Sequence, residues 1–192
     1  MSERRGIIVT EPGDVWFFAY GSLMWDPGFQ PAEVRPALLR GWHRKFCVAS
    51  AMYRGTPDQP GLSLGLDRGG SCRGLALKIA AADRDRILAY LADREMLEEI
   101  YSCRGVRLMT EAGAVDAYTL VVNRDHALYV PPMALSAMAA RIARAAGSRG
   151  AIGIILIRRC AISTRWAFPT VYCTACLTGS KKSLPVRVKK TT

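Results

Sequence analysis

Phe17–Pro27 reads FFAYGSLMWDP, and the fold turns on how that stretch is built. Val15–Ala19 is apolar, aromatic and β-branched, the composition of a buried strand. Tyr20-Gly21-Ser22 then interrupts it and continues neither a strand nor a helix. Gly21 permits positive φ and the close approach of another molecule. Free amides where a strand turns can hold a carboxylate or a developing oxyanion. Taken alone, Tyr20-Gly21-Ser22-Leu23 reads first as a tight turn.

Further along the chain, strand character dominates. Leu38–Ser50 contains GWHRKFCVAS and reads as a second strand. Tyr53–Gly61, YRGTPDQPG, has the proline and glycine content of a loop. Leu62–Leu66 and Arg73–Ile79 read as two strands joined by a hairpin-type connection, DRGGSC. The period then changes to helical from Ala81 to about Glu95, and strands return at Val106–Thr110 and Ala117–Val122. Ala134–Ala146, ALSAMAARIARAA, is an alanine-rich helix expected to stop at Gly147. The pattern predicts an α+β fold, a small, curved or closed mixed sheet with helices packed around it.

The 192 residues suffice for one domain with a real core. Half are apolar, which argues against disorder, yet no run approaches the ~18 apolar residues of a membrane helix. The start, MSERRGIIVTEPGD, lacks the long apolar run of a secretory signal. Six scattered cysteines with no secretory context suit a reduced, cytoplasmic protein. The net charge of +11 comes from one end: no acidic residue follows Asp125. A neutral body with a basic tail argues less for an evolved phosphate-binding surface than an evenly basic one does.

The helical period places Ile87, Leu88 and Leu91 on one apolar face, with Glu95 carried onto it. A carboxylate turned toward apolar side chains should have a raised pKa, suiting a general base near neutral pH. Glu98 projects to the same face, so periodicity leaves the two open, and Glu95 can instead be a helix-end carboxylate that reaches solvent or pairs with Arg94. His43 and His126 have no metal-ligand spacing. Cys173 and Cys176 form a lone CxxC without the second pair of a zinc site. No nucleotide-binding or metal motif occurs, and no cofactor is expected.

Together, FFAYGSLMW, GWHRKFCV, YRGTPDQPG, LGLDRGGSCRGLAL, YLADRE and NRDHALY resemble, in order, the ChaC-like gamma-glutamylcyclotransferases across residues 15–150. The resemblance implies a small mixed β-barrel with surrounding helices, no cofactor, a cytosolic setting and glutathione as substrate. It places the γ-glutamyl group against Phe17, Phe18, Ala19, Tyr20, Gly21, Ser22 and Leu23. Arg54 and Gly55 line the same cleft, and Glu95 is the acid/base. The implied reaction cleaves glutathione to 5-oxoproline and Cys-Gly through attack by the substrate's own amine, in a monomer without membrane or nucleic-acid partner. Other readings are a cyclotransferase for other γ-glutamyl amino acids or amines, and an inactive or binding protein with a basic tail.

Residues 1–14 read as an N-terminal extension, and 151–192 as an aberrant basic tail. The tail, AIGIILIRRCAISTRWAFPTVYC onward, lacks acids and helical period. A one-nucleotide frame shift with permitted codons yields a family-like peptide in its place. The expectation is a frameshifted tail that replaces native terminal helices and leaves a less stable, less active protein.

Overall fold

The computed structural model describes residues 12–51, 55–96, 99–147 and 150–151. Five strands close into a barrel: β1 (Val15–Ala19), β2 (Glu33–Ser50), β3 (Gly61–Ile79), β4 (Tyr101–Thr110) and β5 (Gly113–Val122), in the order β1-β3-β2-β4-β5. Neighbours are antiparallel except β1 and β5, which meet in parallel at Phe17 and Tyr118. Closure pairs each of the five barrel strands with a neighbour on both sides. Thr119, fully buried, reinforces the parallel seam by donating its hydroxyl to the Phe18 carbonyl at 3.0 Å.

The consecutive aromatics of β1 are explained by its two buried faces. Successive strand residues point to opposite sides. Phe17 and Ala19 pack with Leu75, Leu77 and Ile79 on the outer side of the barrel, beneath a helix. Phe18 points inward among Leu39, Leu66, Ala76, Leu108 and Val121, drawn from the four other strands. Each Phe contributes roughly 1.5–3 kcal/mol by leaving water. The covering helix, α1 (Arg84–Glu95), follows a 3-10 turn at Ala81–Asp83 and buries Ile87, Leu88 and Leu91, the apolar face read from the period.

The hairpin expected at DRGGSC is not formed. β3 runs unbroken through it, paired with β2 from Glu33↔Lys78 to Ser50↔Gly61. Gly69 and Gly70 take φ of 97° and 67°, and across the ladder Gly41 takes 81°, beside a register shift between Arg40 and Trp42. Positive φ on both strands at one level bends the ribbon as a unit, which turns a barrel corner without cutting the ladder. A hairpin there would have turned β3 back on itself and away from one arm of β2.

The last described helix, α2 (Leu135–Arg144), ends sooner than its alanine run suggests. Ala145 is already extended, and Ala146–Gly147 (β6) pairs with Gly150–Ala151 (β7). None of its residues is buried, so packing does not prolong it. Arg141 anchors it through Nε to the Pro60 carbonyl at 2.8 Å. Among the described residues no helix is long and apolar enough to cross a membrane. The CxxC and the tail beyond residue 151 lie outside the described residues.

Candidate functional site

Where β1 ends, Tyr20 and Gly21 lead into one 3-10 turn, Ser22–Met24. Met24 N–H bonds the Gly21 carbonyl at 3.1 Å, and Trp25 and Asp26 N–H both bond that of Ser22 at 3.1 and 2.9 Å. Leu23 and Met24 are buried under α1 and pin the turn to the core. The side chains of Phe17, Phe18 and Ala19 are likewise enclosed in the core, which leaves backbone as their polar part. Positive φ, the first reason offered for Gly21, is not adopted. Its φ is −122°, and a Cβ built on it meets nothing within 4 Å. Gly21 therefore leaves space beside the turn, at a φ of −122° and a ψ of −133°.

Glu95 is the last residue of α1, its side chain 24 % exposed. Its sequence neighbour Arg94, only 10 % exposed, joins the helix end to the turn. One terminal nitrogen donates to Ser22 Oγ at 3.2 Å and the other to the Tyr90 hydroxyl at 2.9 Å. Nε lies 3.0 Å from Glu95 Oε1, an ion-pair distance, but is not aligned for a hydrogen bond there and has no other acceptor among the described residues. Burial opposes the Arg94 charge, but Tyr90, Glu95 and Asp26 outweigh it and raise its pKa. One guanidinium thus gathers residues more than seventy positions apart.

Tyr20 keeps some exposure as a residue, but its phenol is deep. Burial, followed by Tyr101 and Glu95, pushes its pKa well above the ordinary tyrosine range, so it remains a neutral donor. Tyr101 opens β4 and donates its hydroxyl to the Leu64 carbonyl at 2.8 Å. Cys47 lies close by, its thiol pushed up to about 12, mainly by burial. Tyr101 carries no motif and escapes sequence reasoning. Only barrel closure brings it to Tyr20.

Gly55 is buried where β2 hands over to β3, in a loop tightened by reciprocal Thr56–Gln59 backbone bonds of 3.1 and 3.2 Å. A Cβ there would collide with Gly61 N, with the Gln59 carbonyl at 2.5 Å and with the Ser50 carbonyl at 2.7 Å. These are backbone atoms that cannot swing aside. Gly55→Ala is therefore expected to cost about 1–3 kcal/mol, read as a lowered melting temperature. An unchanged melting temperature would show that the loop opens freely. Arg54 and Glu98 lie outside the described residues. A groove of about 650 Å³ runs along the β1–β5 seam past Trp16, Arg107, Asp116 and Tyr118, and contains none of these site residues. Its Arg107 and Asp116 pair with each other at 2.7 Å.

The family model for ChaC-like proteins matches residues 15–157. A glutathione-specific gamma-glutamylcyclotransferase of Escherichia coli K12 is 35% identical over 141 residues, 73% of this chain and 61% of that protein. The human glutathione-specific gamma-glutamylcyclotransferase 1 is 28% identical over 145 residues, 73% and 65% respectively. This chain spans less than two thirds of the length of both relatives. In fold it resembles a yeast gamma-glutamyl cyclotransferase specific to glutathione, with a TM-score of 0.75 over 86% of this chain and 95% of that one, at 19% identity. The family match takes in all five barrel strands, the Tyr20–Met24 turn and α1, and the chain belongs to the ChaC-like protein family.

Proposed function

We propose that this protein is a gamma-glutamylcyclotransferase that cleaves glutathione to 5-oxoproline and Cys-Gly. The observation that carries the reading is Arg94 drawing the Ser22 turn and Glu95 together beside the neutral phenol of Tyr20. The named activity of the relatives supports it.

At neutral pH the α-amine of the γ-glutamyl group is mainly ammonium. Glu95 takes one proton, and the freed amine attacks the γ-carbonyl within the same molecule. A C–N bond forms, and the carbonyl electrons move onto oxygen. Amides of Gly21 and Ser22 hold that oxyanion or the α-carboxylate. As the oxyanion collapses, the bond to cysteine nitrogen breaks. The ring nitrogen sheds its extra proton and the departing amine gains one, so Glu95 serves as base and then acid. Because nucleophile and electrophile share a molecule, the turn's main task is to fold the substrate. The test is incubation of the purified chain with glutathione, reading 5-oxoproline, beside γ-Glu-Ala. Preference for γ-Glu-Ala would replace the substrate, and release from neither would refute the reading.

Gly21→Val is expected to keep the fold, because a Cβ there meets no atom within 4 Å. The isopropyl group would stand where this reading puts the substrate, and kcat/KM should fall about 10²-fold. Unchanged kcat/KM would reduce the break to a turn. The reading also places the protein in the cytoplasm as a monomer. Free thiols at Cys47, Cys72 and Cys103 suit a reducing compartment, and sedimentation tests the monomer. We read the residues after 150 as frameshifted, which sequencing of the coding DNA tests.

A further inference from the structure

The GWHRKFCV segment has no part in the chemistry so far, yet its Arg44 reaches the turn itself. Arg44 stands on β2 beyond the bend at Gly41, paired in register with Leu66. Its side chain crosses the barrel corner. Nε donates to the Tyr20 carbonyl at 2.5 Å, and a terminal nitrogen donates to the Arg73 carbonyl at 2.8 Å and lies 3.8 Å from Met24 Sδ. Among the described residues no carboxylate pairs with it. Burial lowers its pKa against the weaker opposing pull of Cys72 and Tyr20. Holding a guanidinium there without a counter-charge is costly, and the two backbone carbonyls it donates to are what offset that cost.

Carbonyl and N–H of one trans peptide point in opposite directions. With its oxygen drawn to Arg44, the Tyr20–Gly21 peptide must turn the Gly21 N–H the other way. Among the described residues that N–H donates to no backbone carbonyl, and the space beside Gly21 is open. A cation on the carbonyl also polarises the peptide, making its N–H a stronger donor. We propose that Arg44 is a positioning residue: it orients and polarises the Tyr20–Gly21 peptide so that the Gly21 amide receives the negative charge that develops on the substrate. This rests on the cyclotransferase reading above.

Arg44→Ala and Arg44→Lys, made in the full chain, test it through kcat, KM, melting temperature and rescue by added guanidinium. In Arg44→Ala, kcat should fall about 10²-fold, the effect of losing one oxyanion donor, with a smaller change in KM. Guanidinium chloride at low millimolar concentration should restore at least about tenfold of that loss, and should not raise the parent or Glu95→Gln. Arg44→Lys keeps a charge but only one prong, and its kcat should lie between the two. Arg44→Ala within threefold of the parent kcat would overturn the proposal. So would losses in both variants that follow the melting temperature and resist guanidinium, which mark a plain brace. If Arg44→Ala does not fold, a parent-like kcat in a folded Arg44→Lys overturns the proposal, and a reduced one with intact melting supports it. A parent inactive on glutathione would sink the substrate reading alone. The Gly21 amide ¹⁵N resonance, which senses the hydrogen bond on the preceding carbonyl, then decides: a shift in Arg44→Lys supports the proposal and no shift overturns it.

Discussion

Glu95→Gln is expected to fold and melt within a few degrees of the parent while 5-oxoproline release from glutathione falls at least about 10²-fold. Glutamine preserves shape and can still face Arg94, but it cannot take the ammonium proton or return it to the leaving amine. The stability cost should be small. The side chain is 24 % exposed, and glutamine keeps its size and can still accept from Arg94. Paired assays of Glu95→Gln and Glu98→Gln check the assignment. Near-parent turnover in the first and loss in the second would move the base three residues along the chain.

Asp67→Asn should have the largest effect on stability. The Asp67 carboxylate is 2 % exposed in the barrel. It accepts from Arg124 Nε at 2.6 Å, Arg68 N–H at 2.9 Å, the Tyr129 hydroxyl at 3.0 Å and Lys45 Nζ at 3.2 Å. Burial alone would raise its pKa, but these donors, Arg124 and Tyr129 foremost, bring it down to about 2. Removing the charge leaves Lys45, only 16 % exposed, without its counter-ion, whereas Arg124 at 47 % can turn to water. Breaking a fully buried pair costs about 3–5 kcal/mol, and the exposed partner places this loss near ~3 kcal/mol. A carboxyl lowered from 3.8 to about 2 implies a similar figure. The sign follows from the depressed pKa. The stabilisation is complete above about pH 4 to 5 and disappears as pH falls through about 2. Urea titrations at pH 7 and at pH 3 should therefore show the parent losing stability on acidification and Asp67→Asn losing less. Equal acid dependence in the two proteins would rule out this hub as its source.

Local signals in the sequence were sufficient where the physics is local. The unbroken apolar run of Val15–Ala19 announced a strand buried on both faces. The spacing of Ile87, Leu88 and Leu91 announced the packed face of α1, which carries Glu95 at its end. Periodicity alone did not separate Glu95 from Glu98, because a period marks a face and not what lies opposite it. The order of motifs pointed to the family and hence to a barrel.

Tertiary structure decided the rest. Gly69 and Gly70 permit a hairpin or a bend with equal ease, and the choice depended on β2 offering a partner along the whole of β3. In the sequence, Asp67 looked like a turn residue. It is a buried hub because Lys45, Arg124 and Tyr129 converge on it from distant positions. Arg44 lies in the GWHRKFCV motif and Tyr101 in none, but neither shows locally what it meets, and both acquire their place around Tyr20 only when the sheet curls closed. Sequence patterns encode dihedral preference and which face is apolar. Which polar groups meet inside depends on chain closure, where each buried donor must find an acceptor that local patterning cannot specify.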